Sequence, residues 1–228
     1  MWLPTLAIRN RRMVLSYPFI GEVSRKNFRK KTSAYLRLLT WNVVQTDGAL
    51  VVRIGRTTLT LTPFYLFLLL TEWDLWMEYY LPEFSLQGKV VLDVGAGCGE
   101  TAFFYFNHGA SKVICVECDK EALAHLRKNS ARNNWNVEIL DHSFELGDIN
   151  REYDFMKVDC EGGEVALLGS EHDLGPCVIE VHSAELCDVF MSKFKLVELV
   201  RLFETIRVLG TARVTINDSS SRDRKEKR

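Results

Sequence analysis

The chain has 228 residues, 47% hydrophobic and 26% charged, which is enough to bury a sizeable core and excludes disordered and fibrous classes. The net charge is -1, yet residues 1–40 hold nine Lys or Arg against one acid, Glu22, and the last ten residues hold five bases against two acids. An acidic body with two basic ends excludes a nucleic-acid coat over the whole surface and leaves room for a basic arm.

The longest apolar run, Phe64 to Leu70, falls far short of the roughly 18 to 20 residues needed to cross a bilayer, so no membrane span is expected. At the N-terminus, apolar Leu3 to Ile8 precede the basic Arg9 to Arg12 cluster, the reverse of a secretory signal. Cys98, Cys115, Cys118, Cys160, Cys177 and Cys187 lie scattered in apolar stretches, as reduced core thiols do. The expected compartment is the cytoplasm.

Residues 1–40 have weak periodicity, with a basic helix readable around Phe28 to Leu39. Trp41 to Thr62 alternates in a way that predicts two or three antiparallel strands, with Asp47-Gly48 and Gly55-Arg56 as turns. Phe64 to Tyr80 reads as helix. From Val90 onward short apolar runs alternate with helical stretches, the pattern of a parallel sheet covered by helices. The strands fall at Lys89 to Val94, Lys112 to Glu117, Val137 to Leu140, Tyr153 to Asp159 and Cys177 to Val181. Ala184 to Glu204 reads as mostly helical, and Thr205 to Leu209 with Ala212 to Ile216 as a hairpin. The expected fold is α/β: a Rossmann-like, doubly wound, seven-stranded sheet, mostly parallel with a C-terminal antiparallel hairpin, plus a small N-terminal β/α extension. Residues 1–80 would form the basic segment and extension, 81–218 the main domain, and 219–228 a disordered basic tail.

The decisive stretch runs from Val90 through Asp93-Val94-Gly95-Ala96-Gly97-Cys98-Gly99, a buried strand entering a loop with glycines at alternate positions. Such a loop serves a ligand or a tight turn equally well by itself. Asp93 stands two residues before the first glycine, where a carboxylate would repel a pyrophosphate and suits a cationic ligand. Twenty residues after Gly97, Glu117 ends the next strand, where a carboxylate can accept both hydroxyl hydrogen bonds of an adenosine ribose. With these residues the sequence resembles the class I S-adenosylmethionine-dependent methyltransferases. The resemblance implies that Asp93 and the loop of Gly95, Ala96, Gly97 and Gly99 hold the methionine end of S-adenosylmethionine. It further implies that Glu117 binds the ribose, that Cys118 flanks the adenine and that Asp141 bonds its amino group; Asp141-His142 also reads as a turn. Cys115 and Cys118, three apart on a strand, point to opposite faces and are read as packing rather than a metal pair.

Strands buried between helices should be continuous hydrophobic runs, yet Lys157-Val158-Asp159-Cys160-Glu161 alternates, as does Ile179-Glu180-Val181-His182. Alternation puts Lys157, Asp159 and Glu161 on one face, and Glu180 with His182 on another strand's matching face. Neighbouring parallel strands end at one rim, so these groups would converge beside the loop; internal pairing, for example of Lys157 with Glu180, is the alternative. Lys157 to Gly169 and Val178 to His182 look like the signature of the FkbM methyltransferases, many of which methylate sugar or other hydroxyls. The resemblance spans Leu81 to Val181 and departs from the family pattern at Gly97, where Asn is common.

These observations predict an S-adenosylmethionine-dependent methyltransferase acting on a hydroxyl of a small-molecule or glycan acceptor, with Asp159, Glu180 and His182 as the reaction centre. His182 or Asp159 would serve as base, in preference to a metal held by all three. The rivals are an RNA methyltransferase that uses the basic residues between 9 and 37, and a non-catalytic cofactor-binding protein.

Overall fold

The computed structural model describes residues 37, 40–46, 49–171, 174–194, 198–202, 205–209 and 212–216. In chain order they form β1 (Asn42–Thr46), β2 (Ala49–Ile54), β3 (Thr57–Leu61), α1 (Pro63–Tyr79), β4 (Val90–Val94), α2 (Glu100–Asn107), β5 (Lys112–Glu117), α3 (Lys120–Asn133) and β6 (Val137–Asp141). There follow a 3-10 turn (Leu146–Asn150), β7 (Phe155–Val158), a second 3-10 segment (Gly163–Gly169), β8 (Cys177–Val181), α4 (Ala184–Lys193), β9 (Glu198–Leu202), β10 (Thr205–Leu209) and β11 (Ala212–Ile216). The basic helix expected around 28–39, Arg37 apart, and the tail from 219 lie outside the described residues.

Two compact units result. One comprises the described residues through Leu81 with Gly97–Glu100 and Asp119–Trp135; the other comprises Pro82–Ala96, Thr101–Cys118 and the described residues from Asn136 onward. In the first unit, β1, β2 and β3 make an antiparallel sheet in sequence order, turned at Gly55 with φ +58°. Thr62 caps α1 by accepting from the Tyr65 N–H, and Pro63 occupies the first turn, where its missing N–H costs nothing. Arg37 is committed here, paired with Asp74 and donating to the Leu70 carbonyl at 2.8 Å.

The edge of β3 is closed by side chains of α3. Buried Asn129 accepts from the Thr60 N–H at 2.7 Å and donates to the Thr60 carbonyl at 2.9 Å, while Asn133 repeats the pattern at Thr58, at 3.0 and 2.9 Å. Spaced four apart, the two carboxamides lie on one face of α3 and act as a substitute strand, satisfying backbone groups that an edge would leave open.

The second unit is built on one sheet with the order β6-β5-β4-β7-β8-β11-β10-β9. The strands from β6 to β8 are parallel and fully or largely apolar, with Leu92, Val94, Ile114, Val116, Met156, Val158, Ile179 and Val181 in one core with Leu167 and Phe190. The sheet has eight strands rather than the seven expected. The difference is β9: α4 ends where Phe194 turns extended, at φ -106° and ψ 142°, and Glu198–Leu202 pairs antiparallel with β10 instead of continuing the helix. Strand preference depends on the partner available, and a strand built from Leu199, Val200 and Leu202 finds one in β10, with Leu202 opposite Thr205. β11 joins parallel to β8 and antiparallel to β10. Among the described residues no helix is long and apolar enough to cross a membrane.

Candidate active site

β4 ends at Val94, and the chain turns at Gly95 with φ +74°. A Cβ at Gly95 would lie 1.8 Å from the Asp159 carbonyl oxygen, so only glycine passes there. The N–H groups of Gly95 and Ala96 both donate to the Val116 carbonyl, at 2.9 and 3.2 Å, and the Val94 carbonyl accepts from the Asp159 N–H at 3.1 Å.

Asp93 and Lys157 are register partners on the neighbouring strands β4 and β7, with side chains 0% and 1% exposed and an Nζ to Oδ1 distance of 3.2 Å. Asp93 Oδ2 also accepts from the Thr101 hydroxyl at 2.6 Å, and Lys157 Nζ donates to the carbonyls of Gly95 at 2.8 Å and Val94 at 3.2 Å. Burial raises the Asp93 pKa, and the Lys157 charge and the Thr101 hydroxyl oppose the rise. Lys157 thus meets Asp93, because the β4/β7 register sets the two side by side; Glu180, the internal partner weighed as an alternative, lies on β8.

Gly97 and Gly99 belong to the first unit. A Cβ at Gly97 would lie 2.5 Å from Tyr65 Cε1 and one at Gly99 2.8 Å from Leu126 Cδ1, and both residues hold positive φ, +54° and +88°, which favours glycine. Asn129 fixes the residue between them, donating to the Cys98 carbonyl at 2.8 Å.

In the second unit, Glu117 and Asp141 are register partners at the ends of β5 and β6. Glu117 is nearly buried and accepts from the Cys118 N–H through Oε1 at 2.8 Å, while Cys118 and Asp141 are exposed. Cys115 is buried within β5, whereas Cys118 lies just past the strand's end, which leaves the two in different surroundings.

The alternation at the ends of β7 and β8 does converge: Asp159, Glu180 and His182 present ligand-capable atoms all within 4.8 Å of one another. His182 Nε2 lies 3.5 Å from Asp159 Oδ1 and 3.7 Å from Glu161 Oε2. Glu161 arrives by a different route from the one expected, since β7 stops at Val158 and Glu161 sits in a turn with φ +50°. Sequence reasoning missed the group that orients this cluster. Glu164, wholly buried, accepts from the His182 backbone N–H at 3.0 Å, the His182 Nδ1 at 3.2 Å and the Gly162 N–H at 2.7 Å. Its one signal was an acid following the Gly162-Gly163 pair at the head of an otherwise apolar segment.

Burial alone would strip the proton from His182, but hydrogen bonds to Asp159 and Glu164 and the charges of Asp159 and Glu180 reverse this and raise its pKa to about 11. An imidazole that keeps its proton at neutral pH donates from both nitrogens and has none free to accept a proton. Burial, with the charges of Glu164 and Asp159, also pushes the Cys160 thiol up to about 12, which keeps it neutral.

Residues 91–160 match the family described as methyltransferase domain. The stretch is a class I S-adenosylmethionine-dependent methyltransferase domain. The ribosomal protein L11 methyltransferase of Enterobacter sp. (strain 638) is 26% identical over 146 residues, covering 58% of this chain and 48% of that protein. Uncharacterized protein 65 of Sulfolobus islandicus filamentous virus is 32% identical over 96 residues, covering 40% of this chain and 58% of that protein. The chain thus spans about half the length of the curated relatives it matches. Among solved structures, a candidate RNA methyltransferase from Pyrococcus horikoshii is 25% identical, covers 60% of this chain and 71% of that one, and superposes with a TM-score of 0.43. The cofactor of the domain is S-adenosylmethionine, and the side-by-side carboxylates of Glu117 and Asp141 suit the hydroxyl and amino donors of its adenosine.

Proposed function

We propose that the protein methylates a hydroxyl on a sugar or other small metabolite, with Asp159 as the base. The observation that carries this reading is the Asp159 carboxylate, part-exposed at the strand ends beside a fixed imidazolium. When bound, S-adenosylmethionine supplies an electrophilic methyl group on a sulfonium. The acceptor hydroxyl would hydrogen-bond to Asp159 and pass its proton to that carboxylate as its oxygen took the methyl group, the methyl–sulfur bond breaking to leave the neutral thioether of S-adenosylhomocysteine, so no free alkoxide is needed. His182, anchored by Glu164, holds Asp159 in place, and Glu180 completes the wall. Glu117, Cys118 and Asp141 bind the adenosine, and the motif assigns Gly95, Ala96, Gly97 and Gly99 to the methionine end. The FkbM-like residues from Lys157 to Gly169 and Val178 to His182 support a hydroxyl acceptor. We read 81–218 as the catalytic domain, 1–80 as its extension and 219–228 as a tail, and the free thiols suit a cytoplasmic setting.

A macromolecular acceptor is the second reading, favoured by the name of the Enterobacter relative and by the bases between 9 and 37. The test of the first is Asp159→Asn, assayed by methyl transfer to a panel of hydroxyl acceptors. Loss of a general base lowers turnover by roughly 10²- to 10⁴-fold, while affinity for S-adenosylhomocysteine stays near that of the unaltered protein. Undiminished turnover in that variant overturns the assignment of the base.

A further inference from the structure

We infer that Lys157 is a positioning residue of the cofactor site: its ammonium grips the carbonyls of Val94 and Gly95 and holds the glycine turn in its binding shape before a ligand arrives. The inference rests on the reading of this turn as part of the S-adenosylmethionine site. An ammonium has three N–H donors and no acceptor, and the Lys157 Nζ has Gly95 O at 2.8 Å, Val94 O at 3.2 Å and Asp93 Oδ1 at 3.2 Å around it. Lys157 stands in a strand whose neighbours Met156 and Val158 are buried and apolar, and it is itself 1% exposed. A buried ion pair is a poor source of stability, since apolar residues of similar volume often do as well or better. The two carbonyl contacts are what an apolar pair could not reproduce.

They matter because of where they fall. Gly95 sits at φ +74°, a region open to glycine, and a glycine is also free to leave it. The peptide between Gly95 and Ala96 is held at both ends: its N–H by the Val116 carbonyl at 3.2 Å and its C=O by Lys157 at 2.8 Å, the shorter and charge-assisted bond. Without Lys157 that carbonyl loses its cationic partner, and part of the binding free energy must be spent on ordering the turn. Asp93 then serves as the counter-ion beside the ammonium, and Thr101 holds Asp93 in place.

Comparison of Asp93→Asn with the double variant Asp93→Asn/Lys157→Met separates the grip from the charge. Asp93→Asn sets the reference affinity for S-adenosylhomocysteine by calorimetry, because the Lys157 side chain still has N–H groups for both carbonyls. The double variant replaces the ion pair by a neutral pair, melts near the wild-type temperature and binds at least about tenfold more weakly, because the carbonyl bonds are gone. In steady state it shows a raised KM for S-adenosylmethionine with kcat largely retained, a split that general destabilisation does not produce. Equal affinity in the two variants overturns the inference. So does near-wild-type affinity in Lys157→Met alone, a result that decides even if the double variant does not fold. Wild-type protein that binds no S-adenosylhomocysteine overturns the cofactor reading itself, and this inference with it.

Discussion

A histidine with Glu164 at Nδ1 and Asp159 at Nε2 holds its proton through the neutral range, and that has a stability consequence with a definite sign. The His182 pKa is raised from 6.5 to about 11 on folding, so its contribution is full below pH 6.5 and is lost as pH rises through about 11. The stability gap between wild type and His182→Gln, from urea denaturation, therefore narrows steadily as pH rises from 6.5 to 10, and the His182 ring shows no NMR titration step between pH 5.5 and 8.5. A ring that titrates near 6.5 would restore it as a candidate base. The same proton bears on metals. Any ion bound by Asp159, Glu180 and His182 must displace a tightly held proton at neutral pH, which weakens its apparent affinity. Turnover is accordingly expected to survive chelation; loss restored by magnesium or manganese would show the opposite. At Glu117, substitution by Ala removes a charged acceptor and should weaken S-adenosylhomocysteine binding by about 1.5 to 3 kcal/mol, read by calorimetry. The convergence of Asp159, Glu180 and His182 was legible because strand alternation aims them at one rim. The protonation of His182 was not, because Glu164 reaches it from 18 residues away through a turn that no periodicity announces.

At the scale of elements, legibility followed how far each element depends on its neighbours. β4, β5, β7 and β8 are apolar runs that could be read as parallel strands from their own composition, and the glycine turn after β4 from its spacing. β9 was misread as helix because its pairing with β10 outweighs local pattern. The α3 face that closes β3 was also missed: Asn129 reads as an ordinary helix-end residue, and only the fold shows it buried with both its carboxamide groups engaged. Asn129→Leu keeps the volume and leaves the Thr60 N–H, the Thr60 carbonyl and the Cys98 carbonyl without this partner. Unsatisfied buried groups cost about 1 to 3 kcal/mol each, with water recovering some of that, so a loss of about 3 kcal/mol is expected in urea denaturation. Exposed Lys128→Ala, on the same helix, is the control and should shift stability by no more than about 0.5 kcal/mol. Equal effects of the two would show that the carboxamide does not hold the β3 edge.

Across the whole molecule, what composition makes plain is the charge asymmetry: a net -1 that conceals a strongly basic first 40 residues. The acceptor question turns on those residues, since they are the feature that sets a nucleic-acid substrate apart from a small one. Arg37, the member of the basic set within the described residues, is already spent on Asp74 and the Leu70 carbonyl. The remaining bases precede it in the chain, and the acidic stretch that follows opposes their pull on phosphates. If RNA were the acceptor, each phosphate contact would release counterions and contribute about -0.7 to the slope of log affinity against log salt for a single strand. Turnover would then fall steeply with salt. If a small hydroxyl compound is the acceptor, binding and proton transfer at Asp159 involve no such release. Filter binding should then find only weak RNA association at about 50 mM salt and none at about 200 mM, while methyl transfer to a small hydroxyl acceptor changes little between the two. RNA retention at the higher salt, together with turnover that depends on RNA, would move the assignment to a nucleic-acid acceptor.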